Sequence, residues 1–107
     1  MIIVLLDDST IMLFGSTDKV MIELEAIDIE NEEYLFCDEH GQRFLGVVTT
    51  KPRGWFRQDE FLELRPVGEP DVANAIALVD RAVFVCPNEW FADLASLRGY
   101  LVSRESV

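Results

Sequence analysis

The chain is short of nearly everything that announces a chemistry. It has one histidine and two cysteines in 107 residues. A single imidazole excludes a histidine-rich metal site, and any Ser-His or Cys-His nucleophile pair would have to use His40. Cys37 and Cys86 lie far apart without a CxxC motif. They read as two reduced, mostly buried thiols, since a disulfide needs oxidising surroundings. No apolar run approaches the roughly 20 residues of a membrane-spanning helix. The opening MIIVLLDD lacks a basic n-region, so it reads as a strand from residue 1 and not as a signal peptide. No phosphate-cradling loop occurs either: Gly41 and Gly46 flank QRFL, and no Gly-Lys-Ser/Thr follows.

Bases are scarce as well. Nine stand against twenty acids, for a net charge of −11. That balance argues against DNA, RNA and anionic membranes as direct partners, which need a basic footprint. It suits a basic partner, or simply solubility.

What is present is a globular composition, half hydrophobic and one-tenth aromatic, of a length that fits a single domain over residues 1–107. The apolar run 1–6 predicts a buried strand, DDS a turn, and TIMLF (10–14) its hairpin partner. Val20, Ile22, Leu24 and Ala26 alternate with Met21, Glu23 and Glu25, which predicts a strand with one wet face. A hairpin is expected over 33–49, with Gly41 supplying positive φ at its turn. FLELR (61–65) is a further strand, stopped by PVGEP. Pro70 suits the first position of a helix carrying Val72, Ala75, Ile76, Val79 and Ala82. Val83–Cys86 fits a strand or a helix tail. A last helix is expected over about 88–102, with Phe91 inward and Gly99 weakening its end. Strands first and helices last predict an α+β fold: an antiparallel sheet of hairpins in residues 1–65 with one or two C-terminal helices packed on it.

The candidate chemistries are thin. His40 sits in a predicted turn and reads as solvent-facing. In CDEH, neighbouring positions of a strand face opposite ways and do not converge on zinc. DIENEE has the flavour of a calcium loop, but position 6 counted from Asp28 is Glu33 instead of glycine. No catalytic residue, metal ligand or cofactor is therefore assigned, and no enzyme is expected.

Two physical features remain. From Glu23 to Glu39 there are eight acids and no base; from Arg43 to Arg57 there are four bases and no acid. The two segments either neutralise each other across the sheet or leave a field that steers a partner. In RGWFR, Trp55 and Phe56 stand between arginines, as interface anchors or as caps on the core.

The stretches LEAIDIENEEYLFCDEHGQRF, LELRPVGEPD and NEWFADLASLRGYL, about half the chain, resemble in style the small acidic immunity proteins of bacterial contact-dependent growth inhibition and related polymorphic toxin systems. The resemblance implies a cytoplasmic protein that binds one cognate toxin domain, a basic nuclease being the class expected, as a monomer in a 1:1 complex. Immunity proteins share no catalytic signature, so no site residue is inherited. The partner-binding candidates are Asp28, Glu30, Glu32, Glu33, Asp38, Glu39, Trp55 and Phe56. The alternatives are a small carboxylate-based enzyme or ligand-binding domain, and a structural homodimer subunit.

Overall fold

The computed structural model describes residues 1–24, 34–53 and 57–105, with side chains omitted for 48–53 and 57–62. In chain order the elements are β1 (Ile2–Leu5), β2 (Thr10–Phe14), α1 (Thr17–Glu23), β3 (Leu35–Asp38), β4 (Arg43–Arg53), β5 (Arg57–Val67), α2 (Val72–Asp80), β6 (Phe84–Val85) and α3 (Leu94–Glu105). The strands form one six-stranded sheet in the order β5-β4-β3-β1-β2-β6. Every pairing is antiparallel except β2 with β6. The fold is α+β, as the order of elements predicts.

β1 lies at the centre, between β2 and β3, and this explains its unbroken apolar run. Ile3 and Leu5 face a core shared with Ile11, Cys37, Ala75, Leu78, Val79, Leu97 and Leu101. Ile2 and Val4 face a second core with Phe14, Val20 and Phe36. A strand covered on both faces has no wet side to alternate with. Helices α2 and α3 cover one face of the sheet and α1 covers the other.

The segment from Val20 departs from the predicted strand. Ser16 caps a helix by accepting the Lys19 amide on its hydroxyl (3.3 Å), and Asp18 places a carboxylate in the first turn. Val20, Met21 and Leu24 meet the core at helical spacing. Ile22 is 82% exposed, so its place in the alternation was coincidental. The rest of that predicted strand, from Glu25 on, lies outside the described residues.

The hairpin at 33–49 forms as expected, but β4 and β5 run further, pairing from Arg43↔Val67 to Arg53↔Arg57 without a break. β5 starts at Arg57, four residues before the expected strand at 61–65, and Pro66 lies inside it instead of ending it. A proline costs no ladder bond at a pair whose backbone groups face away from each other. Pro52 pairs with Gln58 and Pro66 with Phe44, at the same parity of the register, so one ladder phase accommodates both. β3 pairs with β4 only at Phe36↔Phe44 and Cys37↔Arg43. Beyond Phe44, no described strand continues beside β4, and the two strands project as a ribbon. The molecule measures 54 × 28 × 21 Å.

Two helix starts also differ from expectation. Asp71, not Pro70, begins α2: its side chain accepts the Ala73 amide (3.0 Å), leaving Pro70 just outside. α3 begins at Leu94, six residues after the expected start at Asn88. Asn88 instead turns the chain, its carboxamide oxygen accepting the amides of Trp90 (2.8 Å) and Phe91 (2.7 Å). Asp93 then caps α3 by accepting the Ser96 amide at 2.8 Å. The Val83–Cys86 segment resolves as a strand, with Ile11 paired to Val85.

Candidate functional site

The β3–β4 turn is built by one carboxylate. Asp38 Oδ1 accepts the backbone amides of His40 (2.8 Å) and Gln42 (2.9 Å). Gly41 follows at φ +82° and is buried. Its carbonyl accepts the Asp71 amide (3.3 Å) and the Asn74 side-chain amide (3.1 Å), which fastens the turn to the start of α2.

This turn presents Glu39 and His40 to α3. Tyr100 donates its hydroxyl to Glu39 Oε2 at 2.5 Å, and the N-terminal ammonium of Met1 lies 3.2 Å from Oε1. Arg104, one helical turn beyond Tyr100, donates to the Tyr100 oxygen at 3.1 Å and stacks 5.6 Å from its ring centroid. Its other terminal nitrogen sits 2.5 Å from His40 Nδ1. Arginine has no acceptor, so a hydrogen bond here requires the imidazole nitrogen to accept.

The Tyr100 hydroxyl is the largest influence holding the Glu39 carboxyl below its ordinary range. Partial burial opposes that effect, and the N-terminal ammonium and Arg104 reinforce it. Tyr100 is pushed the other way, above the usual phenol, first by the hydrogen bond to Glu39. The pair is thus set as an ionised acceptor and a protonated donor at neutral pH. Such a pairing suits binding and clamping better than proton exchange.

A cleft of about 350 Å³ opens beside this cluster, lined by Met1, Gly15, Glu39, Trp90, Phe91 and Tyr100. Phe91 packs on Tyr100 with centroids 5.3 Å apart. Trp90, 43% exposed, forms a wall shared with a second hollow of about 320 Å³, which extends along β2 towards Lys19, Glu23 and Glu89. A volume of this order holds a small ligand or one anchoring side chain.

Of the sequence candidates, Asp28, Glu30, Glu32, Glu33, Trp55 and Phe56 lie outside the described residues. Asp38 and Glu39 are adjacent, but the fold engages both: one organises the turn and the other holds α3. Asp38 Oδ1 and both Glu39 oxygens already have internal donors. His40 is exposed as expected, and its partner Arg104 was not foreseen. Tyr100 and Arg104 reach Glu39 from more than sixty positions away, with only their i, i+4 spacing as a hint. Burial pushes the Cys37 thiol up to about 12, and neither cysteine is in a disulfide. Among the described residues, no three His, Cys, Asp or Glu side chains gather as a metal-binding group, and no helix is long and apolar enough to cross a membrane.

Compared with family models, with curated proteins and with solved structures, the chain matches none.

Proposed function

We propose that this chain is an interaction protein of the immunity type, which binds a basic toxin domain stoichiometrically in the cytoplasm and neutralises it, a nuclease being the class that fits best. The distribution of charge over the fold carries this reading. Residues 1–42 hold eleven acids and one base, Lys19, whereas 43–67 hold five of the nine bases. The acidic part is therefore not offset within itself. A nuclease groove is positive because it must hold phosphates. An acidic surface substitutes for those phosphates, with steered and salt-sensitive association.

Because Asp38 and Glu39 serve the fold, the docking carboxylates of this reading are Asp28, Glu30, Glu32 and Glu33, with Trp55 and Phe56 as anchors. The test starts from capture of the tagged chain with a basic protein encoded beside its gene, followed by titration across a salt series. The triple variant Glu30→Gln, Glu32→Gln, Glu33→Gln should weaken that complex and flatten its salt dependence. Unchanged affinity would sink the acidic-surface mechanism, and failure to capture any basic protein would sink the immunity reading.

A second reading, a small ligand-binding or carboxylate-based catalytic domain, is favoured by one observation: the cleft of about 350 Å³ beside the shifted Glu39–Tyr100 pair. Fragment binding followed by amide chemical shifts tests it. Shifts at Gly15, Trp90 and Phe91 would support it, and a library that leaves them unmoved would count against it.

A further inference from the structure

Strand β6 leaves its neighbour half covered. β2 runs over Thr10–Phe14, and β6 pairs with it only at Thr10↔Phe84 and Ile11↔Val85. The Ile11 carbonyl accepts the Cys86 amide at 2.8 Å, so the Ile11 backbone faces β6. A strand repeats every two residues, which turns the N–H and C=O of Leu13 to the same side. The pairing with β1 agrees. Leu6 donates to the Thr10 carbonyl, so Met12 and Phe14 exchange bonds with β1, and Ile3↔Leu13 is a pair without them. The next carbonyl on the β6 side is that of Cys86, and it accepts Asn88 Nδ2 at 2.9 Å. The Asn88 turn then carries the chain away from the sheet. Among the described residues, nothing donates to or accepts from the Leu13 backbone.

The space beside Leu13 is open. The hollow of about 320 Å³ lies between the edge at positions 12–15 and the segment 87–90. It adjoins the cleft of about 350 Å³ at Gly15 and Trp90, which line both. Gly15 places no side chain between them; a Cβ there would lie 3.9 Å from Trp90 Cζ2 and 3.7 Å from Lys19 Nζ. The two ends of this groove differ. In the hollow, exposed Glu23 and Glu89 stand against Lys19. In the cleft, the Glu39 carboxylate is already met by the Met1 ammonium and the Tyr100 hydroxyl, and the walls are Trp90, Phe91 and Tyr100.

We propose that this groove holds an extended segment of a partner protein, which pairs its backbone with Leu13 as an added edge strand continuing the place of β6. The vacant ladder position selects the occupant: Leu13 offers one donor and one acceptor side by side, and an extended backbone presents their complements at the matching spacing. Charge and shape select its side chains. A basic residue lies over Glu23 and Glu89, drawn by a chain of net charge −11. An apolar or aromatic residue enters the cleft against Trp90. The proposal rests on the reading of the chain as an interaction protein and adds where a partner's backbone is held.

Hydrogen exchange on the free chain is the first measurement. The Leu13 amide should exchange at least about tenfold faster than that of Met12, which is bonded to β1. Equal protection would mean that the chain itself or a second copy already covers the edge, and would overturn the proposal. Heptapeptides selected on the full chain from a random phage-displayed library then supply the probe, the strongest binder being synthesised. Bound, it should slow Leu13 exchange and shift the Trp90 indole signal. N-methylation should cost about tenfold in affinity at the peptide residue whose amide reaches the Leu13 carbonyl, and little at its two neighbours, whose amides face away. Gly15→Leu, which fills the groove from an exposed site, should weaken binding at least about tenfold, as should Trp90→Ala, with circular dichroism checking that both fold. A library without a binder, peptides that shift only residues away from β2, affinity that survives N-methylation at every position, or full affinity in Gly15→Leu would each overturn the proposal. If a captured basic partner bound Gly15→Leu as tightly as the native chain, the interaction reading would stand and this groove would not be its contact. If no basic partner were captured while peptides still bound at Leu13, the toxin reading alone would fall.

Discussion

Replacing Gly41 by alanine should be among the most damaging single-methyl changes available to this fold. Gly41 stands at φ +82°, where a residue with a Cβ loses roughly 1–2 kcal/mol. The added carbon would lie 1.8 Å from the Asp71 carbonyl oxygen and 2.1 Å from its carbon. These are backbone atoms at the start of α2 and cannot rotate aside. The turn must separate from α2, which breaks the two hydrogen bonds into the Gly41 carbonyl, each worth about 0.5–1.5 kcal/mol. The sum is about 2–5 kcal/mol, before any loss of α2 packing, against roughly 5–15 kcal/mol for a whole domain. A fall in Tm of at least about 10 °C should follow. Two other glycines calibrate the reasoning. Gly68 has φ +74° but only the mobile end of Arg43 nearby, at 3.7 Å, so its alanine variant should lose about 1 kcal/mol. Gly99 lies within α3 with nothing within 4 Å, and Gly99→Ala should gain about 0.5–1 kcal/mol. Urea unfolding followed by circular dichroism measures all three. If Gly41→Ala lost no more than Gly68→Ala, with equal m-values, the close approach to α2 would not be what requires glycine there.

Three further outcomes follow from the geometry. Glu39 is held below its ordinary range, so the stability it adds is complete above the unfolded carboxyl's pKa of about 4.3 and fades as pH falls through the lower folded value. The destabilisation caused by Tyr100→Phe should thus be largest near neutral pH and shrink below about pH 4; a gap constant with pH in urea titrations would contradict this. Ser16→Ala should lose about 1 kcal/mol and raise hydrogen exchange at residues 19–24; unchanged exchange there would deny Ser16 its capping role. With its thiol pushed up to about 12, Cys37 should resist a disulfide reagent at pH 8 in the native protein, leaving Cys86 to react first and both to react in guanidinium. Two equally fast native thiols would rule out that burial.

The sequence was most legible where one cause acted alone. The run 1–6 is apolar throughout because β1 is covered on both sides, and the turns after β1 and β3 form because the short side chains of Asp8 and Asp38 bond nearby backbone amides. It misled where two patterns coincided. Val20, Ile22 and Leu24 satisfy a period of two, but Val20, Met21 and Leu24 also satisfy a helix, and the deciding signal was the Ser16 cap just before them. Pro66 reads as a stop because its tolerance depends on register and on β5 being an edge, and neither is visible in one strand alone. The parallel pairing of β6 with β2 joins residues more than seventy positions apart and has no local signature. The cleft is of the same kind: its aromatic wall comes from the segment after Asn88, its carboxylate from a turn fifty residues earlier, and no spacing links them.

The covering of β1 also has a consequence in time. One side of the central sheet is closed by α1, which follows β2 directly. The other side, with Ile3, Leu5, Ile11 and Cys37, waits for α2 and α3, whose Leu97 and Leu101 complete that core. During synthesis at about 5–20 residues per second, roughly 3–13 s pass between the appearance of Cys37 and that of Leu101. For that interval the nascent sheet carries an uncovered apolar side, the form most open to chaperones and to aggregation. A chain halted before α3 would stay in that state indefinitely.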